Sequence, residues 1–170
     1  MTERRIRLAQ LDEREQLRDI EGAAGAVFAD VGLEDVAKHE PESVEGLGEY
    51  IDAGRAWVIV EDAAPVGYAV VDIVDGMAHL EQLSVRPEYG RRGLGAALLE
   101  FVCDWARRQH FGGITLTTFA DLPWNAPFYA QHRFYALASS ELGPELRVRR
   151  AEEAAAGLDP ARRVCMRRDL

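Results

Sequence analysis

The chain has 170 residues, a formal net charge of −9 at pH 7 and two cysteines. This length predicts a single domain over residues 1–170 that is large enough to bury a core. The negative charge argues against nucleic acids and anionic membranes as partners, and no apolar run reaches the roughly 20 residues that a membrane span needs. Two cysteines do not form a disulfide framework, and no apolar stretch follows residues 1–5, so we expect a cytoplasmic protein without a signal peptide.

The first half of the chain is predicted to hold helices followed by a hairpin. Apolar residues recur at helical spacing in two segments, and Pro41 suits the first turn of the second one. Two segments rich in β-branched and aromatic residues then predict a hairpin. The predicted elements are a strand at 5–8, a helix at 11–28, an irregular or short helical segment at 30–41, a helix at 41–53, and strands at 56–60 and 66–71.

The second half alternates between strand and helix patterns. A turn at Asp75 and Gly76 precedes a strand, a glycine-rich turn and an amphipathic helix. A strand meander followed by helical crossovers predicts a mixed α/β fold. After the turn, the predicted elements are a strand at 79–85, the helix, a strand at 114–118, a helix at 125–131, a strand at 134–137, a helix at 144–156 and a strand at 164–166.

Residues 80–99, LEQLSVRPEYGRRGLGAALL, carry the most informative pattern of the chain. They predict a strand, a turn rich in glycine and arginine, and a helix. The first N–H groups of a helix have no intrahelical partner, and its dipole adds positive charge there, so such a turn favours a phosphate. Gly93 and Gly95 let the backbone approach a ligand closely, and Arg91 and Arg92 can pair with phosphate oxygens.

The glycine spacing argues against two common nucleotide sites. A P-loop requires Gly-Lys-Ser/Thr, whereas Gly95 is followed by Ala96. A dinucleotide fingerprint requires Gly-x-Gly-x-x-Gly directly after the first strand, whereas Gly90-x-x-Gly93-x-Gly95 lies in the middle of the chain. We therefore expect this turn to bind a pyrophosphate ligand other than those bound by these two nucleotide motifs.

A resemblance to a known family begins at this turn. The segments VRP at 85–87 and RRGLG at 91–95, followed by an Ala/Leu-rich helix, resemble the acetyl-CoA site of the GCN5-related N-acetyltransferases, or GNAT family. In the family motif Gln/Arg-x-x-Gly-x-Gly/Ala, the small positions are Gly93 and Gly95 and the first position is Gly90. The resemblance implies a mixed, mostly antiparallel sheet flanked by helices, which splays apart where acetyl-CoA inserts between two strands.

A second segment, WNAPFYAQHRF at 124–134, is similar to the family's Asn…Phe-Tyr…Gly-Phe segment. In the family, the Asn contacts the pantetheine arm or nearby backbone, and the Tyr reaches the CoA sulfur. The corresponding residues are Asn125 and Tyr129. Arg133 stands where the family usually has glycine, so we expect a different turn after this helix.

The resemblance implies transfer of an acetyl group from acetyl-CoA to a primary amine, directly and within a ternary complex. It implies that the N–H of Val85 stabilises the oxyanion and that the hydroxyl of Tyr129 protonates the departing thiolate. The backbone at 83–85 would pair with pantetheine. The implied acetyl-CoA contacts are Leu83, Ser84, Val85, Arg91, Arg92, Gly93, Leu94, Gly95, Ala96, Asn125 and Tyr129.

The reaction also needs a base, because an amine with a pKa near 10.4 must lose a proton before it attacks. Glu81 shares a strand face with Leu83 and Val85, and many family members have a glutamate in this region, so Glu81 is the predicted catalytic base. A solvated or ion-paired strand carboxylate is the alternative. Asp72 and His79 are further candidates.

The other predicted contacts also have structural alternatives. Tyr129 could be a core aromatic, Asn125 could cap its helix, and Arg91 and Arg92 could form a solvated basic pair. The four histidines and two cysteines lack the spacing of metal ligands, so we expect no metal.

The acceptor is expected to contact residues 28–52, the segment that shapes the acceptor site in the family. Its acidic residues would favour a cationic amine, such as a polyamine, an aminoglycoside, or a lysine or N-terminal amine of a peptide, although a solvated acidic surface explains them equally well. The alternative function is a catalytically silent CoA-binding regulatory domain, and a homodimer is one option for assembly. The carboxylates are Asp30, Glu34, Asp35, Glu40, Glu42, Glu45 and Glu49.

Overall fold

The computed structural model describes residues 3–170. Met1 and Thr2, the start of the segment for which no signal peptide was expected, lie outside the described residues. Contacts between residues divide the chain into two compact units. The first comprises the chain up to Val71 together with Gln82–Val102, and the second comprises Asp72–Glu81 together with Cys103–Leu170. The single domain expected over 1–170 stays a prediction.

The first unit contains antiparallel strands and the N-terminal helices. Its strands, in sheet order, are β1 (Arg4–Leu8), β2 (Ala56–Glu61), β3 (Ala64–Val74) and β4 (Met77–Val85), of which β3 and β4 continue into the second unit. Its helices are α1 (Arg14–Gly25), α2 (Glu34–Ala37), α3 (Val44–Asp52) and the first part of α4 (Leu94–Arg108).

Apolar faces of α1 and α3 form the core of the first unit with its strands. Leu17 and Ile20 of α1 and Leu47 of α3 are fully buried in one cluster with Val58. Full burial of such a side chain stabilises the fold by about 1.5–3 kcal/mol. Ser43 fixes the start of α3, because its hydroxyl accepts a hydrogen bond from the backbone N of Gly46 at 3.0 Å.

The second unit contains the remaining strands. Its β4 segment pairs in parallel with β5, with Ala78 opposite Ile114 and His79 opposite Thr115. Antiparallel pairing then joins β5 to β7 and β7 to β6, which gives the sheet order β1-β2-β3-β4-β5-β7-β6. The further elements are β5 (Gly113–Phe119), α5 (Ala126–Gln131), β6 (Tyr135–Ala136), α6 (Pro144–Ala155) and β7 (Arg163–Asp169).

The turn between β3 and β4 fixes the N-terminus of α6. The carboxylate of Asp75 accepts hydrogen bonds from the backbone N of Glu145 at 2.9 Å and of Leu146 at 3.0 Å. An anion in this position satisfies N–H groups that have no partner within the helix. Leu146 itself packs in a small core with Val74 and Cys165.

The predicted fold class is confirmed: the chain is α/β, with a mostly antiparallel sheet flanked by helices. The predicted first helix is too long, because α1 ends at Gly25 and continues as a 3-10 helix, Ala26–Val31. The prediction that Pro41 lies in the first turn of α3 is wrong, because Ser43 is the cap. The strand predicted at 134–137 is reduced to the two residues of β6.

Candidate functional site

The glycine-rich turn between β4 and α4 combines a proline-led 3-10 turn with two left-handed residues. Pro87–Tyr89 forms the 3-10 turn, and the backbone N of Gly90 bonds to the carbonyl of Pro87 at 2.9 Å. Arg91 and Gly93 follow with φ values of +59° and +76°. Only glycine adopts this region at no steric cost, so Arg91 carries a backbone strain of about 1–2 kcal/mol.

This turn leads into the N-terminus of α4, a helix of 15 residues. The N–H groups of Leu94, Gly95 and Ala96 belong to its first turn and have no carbonyl partner within the helix. The first intrahelical bond runs from the backbone N of Ala97 to the carbonyl of Gly93 at 3.0 Å. Three N–H groups without an intrahelical partner, the helix dipole and a nearby arginine favour an anion at this position.

Arg92 has a partner that the sequence did not reveal. Its guanidinium donates a hydrogen bond to Oε1 of Glu61, the last residue of β2, and lies 5.5 Å from the ring centroid of Tyr89. Glu61 is only 3% exposed. The side chain of Arg91 is exposed and has no ion-pair partner within residues 3–170. The two adjacent arginines therefore differ in their surroundings.

The end of β4, where Leu83, Ser84 and Val85 lie, approaches β3 closely in the first unit. A Cβ atom at Gly67 would lie 2.9 Å from the carbonyl O of Ser84 and 3.0 Å from Cγ2 of Val85, so this approach requires glycine. The hydroxyl of Ser84 accepts a hydrogen bond from the Gln82 amide at 2.7 Å and is thereby held inside the protein. The predicted pantetheine contacts of these three residues stay predictions.

Asn125 and Tyr129 are one helical turn apart, and the backbone N of Tyr129 bonds to the carbonyl of Asn125 at 3.1 Å. Asn125 occupies the N-cap position of α5, but its side chain makes no capping hydrogen bond. Its Oδ1 is buried and has no hydrogen-bond partner among the described residues. A buried amide oxygen without a donor is costly, and an N–H group of a ligand would satisfy it.

Tyr129 is 9% exposed and packs edge-on against Phe128 and Phe134, with ring centroids 5.1 and 5.7 Å away. Burial raises the pKa of Tyr129 above its ordinary value of 10, so the phenol keeps its proton at neutral pH and is able to donate it. The ring packing also fits a core aromatic. Only the hydroxyl distinguishes the two roles.

Arg133, at the position where the family usually has glycine, has a φ of +68°. It thus adopts the conformation that glycine would favour, and its backbone N bonds to the carbonyl of Ala130 at 3.2 Å. The substitution therefore does not by itself require a different turn after α5.

The three candidate bases lie together in the second unit. Arg149 of α6 donates hydrogen bonds to Asp72 Oδ2 and to Glu81 Oε2. Oε2 of Glu81 also lies 3.6 Å from Nε2 of His79. The Glu81 side chain is 34% exposed, so it is a partly solvated, ion-paired carboxylate. To take a proton, it has to exchange part of its contact with Arg149 for water or substrate.

His79 is 2% exposed, and its Nδ1 lies 2.8 Å from Oγ1 of Thr115. Burial, with a smaller contribution from the positive charge of Arg149, lowers the pKa of His79 to about 4. The imidazole is therefore neutral at physiological pH. It connects Thr115 to the neighbourhood of Glu81 without adding a charge.

Sequence analysis missed Arg149 and a neighbouring network on the same helix. Glu153 accepts hydrogen bonds from Oγ1 of Thr117 and from Nη2 of Arg163, both at 2.6 Å. The signal was the composition of α6, whose one buried residue is Leu146. A helix with so little apolar surface has to be held by polar contacts, although its sequence does not say which ones.

The carboxylates of residues 28–52 make separate local contacts in the first unit. Oε2 of Glu40 lies 3.4 Å from Nη2 of Arg18, and the carboxylate of Glu42 accepts a hydrogen bond from the N of Ser43 at 3.0 Å. The carboxylates of this segment that are exposed are Asp30, Glu34, Asp35, Glu40, Glu45, Glu49 and Asp52.

A half-buried carboxylate that the sequence did not single out, Glu21, lies on α1. Glu21 accepts hydrogen bonds from the hydroxyl of Tyr68 at 3.0 Å and from the backbone N of Glu42 at 2.7 Å. Burial raises the pKa of Glu21. The residue joins α1 to β3 and to the segment that precedes α3.

Within residues 3–170, no group of three or more His, Cys, Asp or Glu side chains is arranged to hold a metal ion. In the same part of the chain, no helix combines the length and the apolar character of a membrane span. Cys103 and Cys165 are both buried, and burial raises the pKa of the Cys165 thiol to about 11.

The strand order defines a mixed α/β fold, and the start of α4 favours a ligand that carries phosphate. The model of the family described as "Acetyltransferase (GNAT) family" matches residues 23–134, about two thirds of the chain. This range includes the glycine-rich turn and all of α5. The chain belongs to the GNAT family of acetyltransferases, as its two motifs predicted.

Similarity to individual proteins is more limited. A segment of 61 residues is 39% identical to streptothricin acetyltransferase A of Bacillus subtilis (strain 168), and this match spans 35% of each chain. The fold is similar to that of the paia N-acetyltransferase from Thermoplasma acidophilum in complex with coenzyme A, with a TM-score of 0.72 and 15% identity over 99% of both chains. It is also similar to N-acetylglutamate synthase from Neisseria gonorrhoeae, with a TM-score of 0.74 and 19% identity over 99% of this chain and 35% of that one.

Proposed function

We propose that the chain is an N-acetyltransferase that moves an acetyl group from acetyl-CoA to a primary amine by direct attack in a ternary complex. The observation that carries the proposal is the start of α4, which favours an anion. Its unpaired N–H groups and the exposed Arg91 suit a pyrophosphate, and the turn lies within the segment that matches the acetyltransferase family.

The residues that we propose to contact acetyl-CoA lie between β4 and α5 in the sequence. The backbone of Leu83, Ser84 and Val85 would bind pantetheine as an added strand does, through hydrogen bonds. The orphaned Oδ1 of Asn125 supports a contact with an amide N–H of the same arm. The proposed pyrophosphate contacts are the side chain of Arg91 and the backbone of the turn that follows it, Arg92, Gly93, Leu94, Gly95 and Ala96.

The chemistry requires one N–C bond to form and one C–S bond to break. In our proposal, the N–H of Val85 stabilises the negative oxygen of the tetrahedral intermediate. Tyr129 then gives its phenolic proton to the departing thiolate and regains a proton from solvent. The hydroxyl is protonated at neutral pH, as a proton donor must be, but burial raises the pKa of Tyr129 and makes it a weaker acid, so the transfer depends on the basicity of the departing thiolate.

Glu81 is proposed to take the proton that the amine loses. Its partial exposure supports this role, because an acceptor or a water molecule is able to reach the carboxylate. When Glu81 accepts the proton, Arg149 would weaken its hydrogen bond to Glu81 and keep the one to Asp72. Neutral His79 contributes no charge that competes with an incoming cationic amine.

The proposed acceptor is a cationic amine, and the proposed location is the cytoplasm. Exposed carboxylates such as Glu45 and Glu49 support the first proposal through charge complementarity. The name of the Bacillus subtilis relative adds streptothricin to the acceptors worth testing.

An acceptor screen tests the function. Purified protein is incubated with acetyl-CoA and a polyamine, an aminoglycoside, streptothricin or a lysine-containing peptide, while free CoA and the N-acetylated product are measured in parallel. We expect equimolar CoA and product with at least one cationic amine. Acetyl-CoA binding without release of CoA for any amine would contradict the proposal and favour a silent CoA-binding domain.

A further inference from the structure

We propose that Glu61 positions the phosphate-binding turn by holding Arg92, and that Arg91 is the arginine that contacts the pyrophosphate. This inference rests on the proposed function, since it assigns separate tasks to two adjacent arginines of the same site. The residues involved all lie in the first unit.

The Glu61–Arg92 pair joins a buried carboxylate to an arginine whose side chain is 41% exposed, so the cost of breaking it comes from Glu61. Glu61 is 3% exposed, and Arg92 donates the hydrogen bond to its Oε1. The nearest other cation is Nε of Arg4, 3.8 Å from Oε2, which has no hydrogen-bond partner among the described residues. If Arg92 turned toward a phosphate, it would leave a buried carboxylate without a donor, which is strongly unfavourable.

The position of Arg92 determines what the pair controls. Arg92 lies between Arg91 and Gly93, whose φ values are +59° and +76°, and next to the ring of Tyr89. Fixing the side chain at this point holds both neighbours in left-handed conformations and so sets the direction of the N–H groups that follow. A ligand that binds a turn already ordered in this way loses less free energy to ordering it.

Arg91 differs from Arg92 in its partners and not in its exposure, because both residues are exposed. Its side chain is exposed and has no ion-pair partner in the described part of the chain. Its backbone is in a conformation that a glycine would adopt without strain. A strained residue at a binding turn points to a function for its side chain, and a cation beside the N–H row of α4 suits a phosphate oxygen.

The first experiment compares two acetyl donors with the variant Glu61→Gln, which keeps the size of the side chain and removes its charge. S-acetylpantetheine contains the thioester and the pantetheine arm but lacks the pyrophosphate. We expect the KM for acetyl-CoA to rise about three- to tenfold with kcat nearly unchanged, and the KM for S-acetylpantetheine to stay at the wild-type value. A general loss of structure would affect both donors equally.

The second experiment separates the two arginines. Arg91→Gly removes the cation and relieves the strained backbone, so we expect a melting temperature at or above that of wild type and a loss of acetyl-CoA affinity of about tenfold. Arg92→Gln leaves Glu61 unpaired and should lower the melting temperature. Adding Glu61→Gln to Arg92→Gln should restore most of that loss, since no buried charge then remains unpaired.

Calorimetric titration with acetyl-CoA gives a readout independent of turnover. Unchanged acetyl-CoA affinity in Glu61→Gln, equal KM changes for both donors, or wild-type affinity in Arg91→Gly would overturn the inference. A wild-type protein that binds acetyl-CoA but acetylates no amine would instead contradict the proposed function, while the titrations still decide the roles of Glu61 and Arg91.

Discussion

Arg92 in the first unit and Arg149 in the second both bind carboxylates, but the exposure of their partners differs. Arg92 holds a single carboxylate, Glu61, which is 3% exposed. Arg149 holds Asp72 and Glu81, whose side chains are 27% and 34% exposed. Water screens the carboxylates of the second cluster, so their ion pairs exchange at little cost. The Arg92 side chain is also exposed, at 41%, but breaking its pair leaves the buried charge of Glu61 without a donor.

In our proposal, one kind of ion pair serves two tasks. A turn that must present N–H groups to an anion benefits from a pair that stays formed. A carboxylate that must accept a proton benefits from a pair that opens easily. The predictions below test these two regions separately, from the largest expected effect to the smallest.

Gly93→Asp should have the largest effect, because it combines strain at a φ of +76° with a negative charge at the start of α4. An added Cβ meets no atom within 4 Å, so the protein itself has room for the side chain. We expect acetyl-CoA affinity to fall on the order of 1,000-fold, as two or more charge-assisted hydrogen bonds are lost. Thermal-shift titration measures this.

Gly54→Asp is the matched control, because Gly54 has a φ of +71° and the same open space. It introduces similar strain and the same charge away from the turn. If both variants lost acetyl-CoA to the same extent, the phosphate would not lie at Gly93.

Tyr129→Phe should lower kcat by about 100-fold, because it removes the proton donor for the thiolate and keeps the ring. Its packing against Phe128 and Phe134 should survive, so stability and acetyl-CoA affinity should change little. Tyr135→Phe, which removes an exposed hydroxyl, is the control. Wild-type turnover in Tyr129→Phe would make the residue a core aromatic only.

Glu81→Gln should lower kcat/KM near neutral pH by about tenfold, less than the usual loss of a general base, because water in this exposed cluster can replace part of its function. The loss should shrink at high pH, where more of the amine is already neutral. A pH–rate profile on one good acceptor measures it.

Asp72→Asn tests whether the effect of Glu81→Gln comes only from releasing Arg149. Both variants remove one carboxylate from this arginine. Equal losses with profiles of the same shape would assign Glu81 a structural role.

His79→Gln should have the smallest effect, and on stability rather than on turnover. In the folded protein the pKa of His79 is about 4, below its ordinary value of 6.5. As the pH drops from about 6.5 to 4, His79 is therefore protonated in the unfolded chain but not in the folded one, and the free energy of unfolding falls. From pH 7 to pH 5, the free energy of unfolding of wild type should fall by about 2 kcal/mol more than that of the variant. Urea unfolding at both pH values measures the difference, with His39→Gln as the control; equal pH dependence in all three proteins would refute the assignment.

The parts of the molecule that were predictable from sequence are contiguous in the chain. The turn at Gly90–Gly95 shows its glycines, its arginines and the start of its helix within a few residues, and α5 shows Asn125 and Tyr129 in the same way. Hydrophobic periodicity also placed most strands and helices, since burial follows the local period of the pattern.

The missed features depend on residues distant in the chain. Arg92 and Arg149 bind Glu61 and Glu81, two of the 29 acidic residues of the sequence, and nothing near these residues in the chain indicates which arginine each one binds. The fold brings each carboxylate to its arginine, since Glu61 lies at the end of β2 and Glu81 lies on β4. Sequence reasoning predicted Glu81 from its strand but missed the arginine that holds it.

The most direct test of the account is a calorimetric comparison of acetyl-CoA with S-acetylpantetheine in wild type and in Gly93→Asp. If the turn binds the pyrophosphate, wild type should bind acetyl-CoA at least about 100-fold more tightly, and Gly93→Asp should lose most of this preference while its affinity for S-acetylpantetheine stays the same. Equal affinity of wild type for the two donors would contradict the claim that this turn is the phosphate site.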